Sequence, residues 1–126
     1  MKDEYTAKLT PEQKKVLVDR GTDAPFTGQF LHNDENGDYT CAACGNVLFS
    51  SQHKFDSGSG WPSFYDVASA GSVTLVNDSS HGMERTEVVC ANCGGHLGHV
   101  FNDAYDQPGG QRFCVNGTSL DFKPKA

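Results

Sequence analysis

The chain has 126 residues and a formal net charge of −6, a length that suits one domain over 1–126 and a charge that disfavours nucleic-acid and acidic-membrane partners. Hydrophobic residues make up 37% and charged residues 21%, a globular balance whose modest core gains from a metal or another cross-link. No apolar run approaches the ~20 residues of a membrane span, and Met1–Tyr5 has no secretory apolar stretch. The expected address is the cytoplasm, where five cysteines speak for metal binding or thiol chemistry rather than disulfides.

Thr10-Pro11-Glu12-Gln13 predicts a helix start, with Thr10 as cap, Pro11 in the first helical position and Gln13 completing a capping box. Val16, Leu17 and Val18 supply a short apolar stripe, and Gly21 stops the helix after about three turns. Thereafter short β-type runs alternate with glycines. Gly28–Leu31 and Asp38–Cys41 flank Asn36-Gly37, a hairpin signal. Val47–Phe49, Val73–Val76, Thr86–Cys90, Val100-Phe101 and Arg112–Asn116 are further strand candidates, so an antiparallel, mainly β domain is expected. Lys123–Ala126 reads as a loose end.

Cys41-Ala-Ala-Cys44-Gly45 and Cys90-Ala-Asn-Cys93-Gly94 are matched knuckles. A two-residue spacer lets one turn present two thiolates to one metal, and the glycine relieves crowding as the chain turns away. The pattern predicts one structural zinc held by Cys41, Cys44, Cys90 and Cys93; the alternative is two unmetallated or redox-active dithiols. Four thiolates close the tetrahedron and leave no position for water or substrate.

Cys114 remains. In a strand Arg112–Asn116, Phe113 and Val115 face one side and Arg112, Cys114 and Asn116 the other. The thiol then lies beside a permanent cation, which favours the nucleophilic thiolate over an inert small hydrophobe. His96-Leu97-Gly98-His99 follows the second knuckle as a loop held by the metal, with histidines that read either as proton donors and acceptors or as surface groups. In Gly58-Ser59-Gly60-Trp61-Pro62-Ser63-Phe64 a turned loop presents the only Trp, either as the wall of an apolar pocket or as an anchor to the core.

C-A-A-C-G, S-G-S-G-W-P-S-F, H-G-M-E-R-T-E-V-V-C-A-N-C-G-G-H-L-G-H-V-F-N-D and R-F-C-V-N, in this order, resemble the B-type methionine-R-sulfoxide reductases over about Thr10 to Phe122. Gly21–Gly28 fits the same family. The resemblance implies two antiparallel sheets with short N-terminal helices, and a monomer. It implies Cys114 as nucleophile and His96, His99, Asp103, Arg112 and Asn116 as the polar side of the site. Cys41, Cys44, Cys90 and Cys93 match the zinc ligands, and Trp61 matches the wall that receives the substrate methyl group. The expected chemistry is thiolate attack on the sulfoxide sulfur with a histidine protonating the oxygen, Arg112 and Asp103 ordering the histidines, and Asn116 supporting the site. Cys114 is left as a sulfenic acid. The substrate is methionine sulfoxide, in oxidised proteins or peptides or free. Many members carry a resolving cysteine where this chain has Ser59. With the other four cysteines on zinc, the implied reductant is an external thiol such as thioredoxin or glutathione. Two rivals stand: a zinc-ribbon-like binding module without catalysis, which leaves Cys114 unexplained, and a thiol peroxidase, to which a methyl-sized aromatic pocket is of little use.

Overall fold

Thr10 starts the second helix as the capping box requires: its hydroxyl accepts from the Gln13 backbone at 3.2 Å while the Gln13 side chain accepts from the Thr10 N–H at 2.9 Å. In the computed structural model, which describes residues 3–26, 30–79, 82 and 84–125, this helix, α2, spans Pro11–Leu17 and follows a single-turn helix α1 at Asp3–Thr6. Two turns form rather than three. Val18 caps the helix, Arg20 takes a left-handed φ of 60°, and Gly21 bonds back to the Lys15 carbonyl at 2.8 Å. Val16 and Leu17 are buried, whereas Val18 is exposed.

Among the described residues nine strands build two antiparallel sheets: β1 Gly37–Cys41, β2 Val47–Ser50, β3 Lys54–Phe55, β4 Ser63–Phe64, β5 Val73–Asp78, β6 Arg85–Cys90, β7 His96–Phe101, β8 Arg112–Val115 and β9 Leu120–Pro124. The smaller sheet runs β2-β1-β9 and the larger β3-β4-β8-β7-β6-β5. The mainly β, two-sheet fold class therefore holds, with two differences in detail. The hairpin expected across Asn36-Gly37 is not made: Gly28 and Gln29 lie outside the described residues, and Phe30–His32 form a turn. Gly37 instead opens β1 against Pro124 of β9, where a Cβ would collide with the Lys123 carbonyl and the Phe122 ring. That glycine serves a close approach between strands rather than a turn. His96–His99, expected as a loop, is the first part of β7.

Tyr39, Leu48, Phe49, Phe64, Val88, Leu97, Val115 and Leu120 form the inner core. Phe49 stacks on Phe64 with centroids 4.5 Å apart, and Tyr39 meets Phe64 edge-on at 5.1 Å. Each such side chain contributes about 1.5–3 kcal/mol by leaving water, so the aromatic stack fastens the β4–β8 seam to the smaller sheet. At this seam Ser63 lies opposite Cys114, and across the other edge of β8 His99 lies opposite Cys114. A Cβ on Gly98 would collide with the Cys114 carbonyl oxygen, so β7 can lie this close to β8 only with glycine there. Among the described residues no helix is long and apolar enough to cross a membrane.

Candidate active site and metal centre

The two knuckles meet at one point although Cys44 and Cys93 belong to different sheets' ends. Gly45 and Gly94 take φ of 82° and 78°, and their N–H groups bond back to the Cys41 and Cys90 carbonyls at 2.9 and 2.8 Å. The sulfurs of Cys41 and Cys93 are 3.6 Å apart, as are those of Cys44 and Cys90, and all four donor atoms fall within 4.8 Å of one another. A tetrahedron with metal–sulfur bonds of about 2.3 Å has edges of roughly 3.8 Å, so the arrangement fits a closed four-thiolate metal site. The thiols perturb one another strongly: hydrogen bonds from Cys90 and Cys93 push Cys41 up, while those from Cys41 and Cys93 push Cys90 down. Four sulfurs this close cannot all ionise without a cation among them. The Gly95 N–H at 3.4 Å from Cys93 Sγ and the Asn46 amide at 3.7 Å from Cys90 Sγ add donors around the cluster.

Cys114 has the opposite surroundings. Phe113 and Val115 are buried and Cys114 is half-buried, as the alternation in the sequence predicts. Arg112 Nη1 donates to Cys114 Sγ at 2.7 Å. The guanidinium is held for this purpose: its Nε and Nη2 each donate to the Asp103 carboxylate at 2.9 Å, and its plane lies 4.6 Å over the Phe101 ring. The paired Arg112 holds the Asp103 carboxyl below the usual carboxylate range. Cys114, His99, Arg112, Asn116 and Trp61 line one cavity of about 280 Å³, together with Ser59 and Arg85.

The two histidine rings meet edge-on with centroids 5.5 Å apart, but they face different cavities. His99 lines the Cys114 cavity, whereas His96 is 3% exposed and lines a neighbouring cavity of about 260 Å³ with Asp78, Arg85 and also His99. Among the described residues neither histidine hydrogen-bonds to Arg112 or Asp103, the two side chains expected to order them. Two buried carboxylates hold them instead. A carboxylate only accepts, so His96 Nδ1 donates to Glu87 Oε2 at 2.7 Å and His99 Nε2 donates to Asp78 Oδ2 at 2.8 Å. Arg20 reaches Glu87 at 2.7 and 3.1 Å, and Arg85 reaches Asp78 at 3.3 Å. Burial pushes the His96 imidazolium toward the neutral form, and its Nε2 has no partner among the described residues. Glu87, Asp78, Arg20 and Arg85 were missed from the sequence. A lone carboxylate in a β-run carries no signal of its partner, here 67 residues away for Arg20–Glu87.

Trp61 is half-buried and forms part of the cavity wall, while its indole N–H donates to the Asp23 carbonyl at 3.0 Å. The two readings of this Trp, wall and anchor, thus coexist. Asn116 is 3% exposed and spans the site floor: its amide donates to the Leu97 carbonyl at 3.0 Å and its oxygen accepts the Asp23 N–H at 2.9 Å. Ser59 Oγ lies 3.5 Å from Cys114 Sγ, so position 59 faces that sulfur.

Known proteins with this sequence pattern are numerous. The SelR domain family matches residues 9–124. A peptide methionine sulfoxide reductase MsrB of Leptospira interrogans is 54% identical over 96% of this chain and 92% of its own length. The MsrB protein of Methanosarcina barkeri is 56% identical over 96% of this chain and 84% of its own, and that of Thiobacillus denitrificans is 51% identical over 97% and 92%. The chain belongs to the SelR-domain family, that of the MsrB-type peptide methionine sulfoxide reductases.

Proposed function

We propose that this chain reduces the R epimer of methionine sulfoxide to methionine, with Cys114 as nucleophile and an external thiol as the final reductant. The observation that carries the reading is the Arg112 Nη1 to Cys114 Sγ contact of 2.7 Å, made inside a cavity that also holds His99, Asn116 and Trp61. A guanidinium that close is placed to pair with negative charge on the sulfur. The thiolate attacks the electrophilic sulfur and takes over the oxygen, which leaves a sulfenic acid on Cys114 and methionine as product. One proton is consumed. His99 is better placed than His96 to give it, because His99 shares the cavity with Cys114 and its Nε2 is committed to Asp78, which leaves Nδ1 for the reacting oxygen. Asp78 and Glu87 set the tautomer and ring orientation of the two histidines, Asp103 holds Arg112, and Asn116 supports the floor. Trp61 receives the methyl group through sulfur–aromatic and apolar contact.

A second thiol must then attack the sulfenic sulfur, forming a disulfide and releasing water. Ser59 cannot do this, and the other four cysteines share one cluster. Thioredoxin or a small thiol such as glutathione fits the requirement, acting on a chain that is a monomer in the cytoplasm. Zinc suits the four-sulfur donor set and, when bound, stabilises the fold without entering the reaction.

Single-turnover reduction of the two separated sulfoxide epimers tests the reading, on metal-replete protein and on Cys114→Ser. The expected result is consumption of the R epimer alone, lost in the variant, with one sulfenic acid trappable on Cys114 and no intramolecular disulfide. Failure with both epimers, or faster turnover of a hydroperoxide, overturns it.

A further inference from the structure

Around the sulfur of Cys114 the chain places a closed set of hydroxyls that the reaction described above does not use. Ser57 Oγ donates to Ser59 Oγ at 2.7 Å and is also 2.7 Å from Ser63 Oγ. Ser59 and Ser63 in turn lie 3.5 and 3.7 Å from Cys114 Sγ. Ser63 is 1% exposed, sits opposite Cys114 in the β4–β8 ladder, and reaches the Trp61 carbonyl at 3.1 Å. Left-handed glycines at positions 58 and 60, with φ of 72° and 92°, fold the loop so that Ser59 turns back onto the sulfur.

Proton counting restricts how this set can be wired. Three hydroxyls carry three protons, one each, and must serve Ser57, Ser59, Ser63, the Trp61 carbonyl and the sulfur. When Cys114 is a thiolate it can only accept. Ser57 donates to Ser59, which leaves the Ser59 proton for Sγ, and a Ser63 proton given to Ser57 completes a chain whose successive dipoles strengthen one another. Ser63 can instead turn its proton to the Trp61 carbonyl at 3.1 Å without disturbing the Ser57–Ser59 bond.

We propose that Ser57, Ser59 and Ser63 form a hydroxyl wire that supports the Cys114 thiolate, with Ser59 as its second donor beside Arg112. In this chain Ser59 stands where the family often has a cysteine and takes the role of hydrogen-bond donor to the nucleophile. Ser59 is thus a catalytic residue in contact with the reacting sulfur, and Ser57 is a positioning residue that acts through it. The inference rests on Cys114 being the nucleophile. The other charged or titratable groups about the sulfur are Arg112 on β8, His99 on β7 and Arg85 on β6, with Asp103, Asp56 and Asp106 around the adjoining cleft.

The test is the pH dependence of Cys114 alkylation by iodoacetamide, followed by mass spectrometry of the Cys114 peptide on the metal-replete protein. Ser59→Ala is expected to move the midpoint of that profile upward by roughly 0.5–1 pH unit, the scale of one weak hydrogen bond to a charged acceptor. Ser57→Ala, which removes no atom in contact with the sulfur, is expected to move it the same way by less. Ser59→Thr keeps the hydroxyl and restores the parent midpoint. Thermal transitions serve as the control for folding, and a midpoint that stays put in both alanine variants overturns the wire. A downward shift in Ser59→Ala overturns it equally. Because alkylation does not depend on sulfoxide turnover, an intact shift with no reductase activity would count against the proposed function and not against the wire.

Discussion

The molecule uses cysteine in two places and does opposite things with it. At the knuckles four sulfurs crowd within 4.8 Å and are held by two tight turns. At β8 a single sulfur faces a guanidinium at 2.7 Å in an open cavity. The first setting suits four thiolates closed around one metal ion, with no position left for substrate. In the second, one guanidinium donates to the sulfur, which otherwise opens onto the cavity. The same atom is set up as a staple or as a candidate nucleophile according to the number of donors and partners around it.

The comparison breaks most visibly at the knuckles. Cys90→Ser is expected to lose the metal and, with it, the cooperative thermal transition. Structural zinc contributes about 10–16 kcal/mol in small peptides, against a total stability of roughly 5–15 kcal/mol for a domain. Metal analysis and a thermal melt check this. A variant that melts like the parent would mean that the cluster is not a metal site. Cys114→Ser should leave both readouts untouched. A smaller effect belongs to Arg112→Lys, which keeps the charge and loses the fork that Asp103 grips. Turnover is expected to fall about 10–100-fold through misplacement of the cation while the melt stays within a few degrees. Unchanged kinetics would show that charge alone suffices. The smallest pair of effects sharpens the assignment of the acid. Asp78→Asn is expected to lower kcat roughly tenfold with KM little changed, since it disturbs the histidine in the Cys114 cavity. Glu87→Gln, on the buried histidine outside that cavity, is expected to cost about 1–3 kcal/mol of stability and little activity. The reverse pattern would assign the proton donor to His96.

How much of this was legible depended on how local the cause was. The capping box at Thr10, the knuckles and the alternation about Cys114 are set by neighbours within a few residues, and all three are seen in the structure. The runs Val47–Phe49, Val73–Val76, Thr86–Cys90 and Arg112–Asn116 mark four strands, with ends shifted by a few residues. Strands β3 and β4 have two residues each, too few to show a period, and β9 ends in Lys-Pro, which reads as a tail. The first half of β7 reads as a loop in the sequence because it follows directly on the second knuckle. In the structure His96, Leu97 and Gly98 are all buried, so the polar-outward rule fails there. Of the polar site residues and Trp61 named from the sequence, five line the Cys114 cavity, while His96 packs edge-on behind His99 and Asp103 behind Arg112. The carboxylates Asp78 and Glu87 were invisible because their burial is repaid by arginines and histidines far along the chain.

Asp23 ties together parts of the chain that are otherwise strangers. Its carbonyl accepts from Trp61, its N–H donates to Asn116, and its carboxylate accepts from the Thr118 N–H and hydroxyl at 3.2 and 2.7 Å. These partners lie 38 to 95 positions away, so the wall and floor of the cavity are completed only when both ends of the chain have come home. Asp23 is absent from the cavity lining yet grips both its wall and its floor, so a change at this one position would reach the site without touching the sulfur.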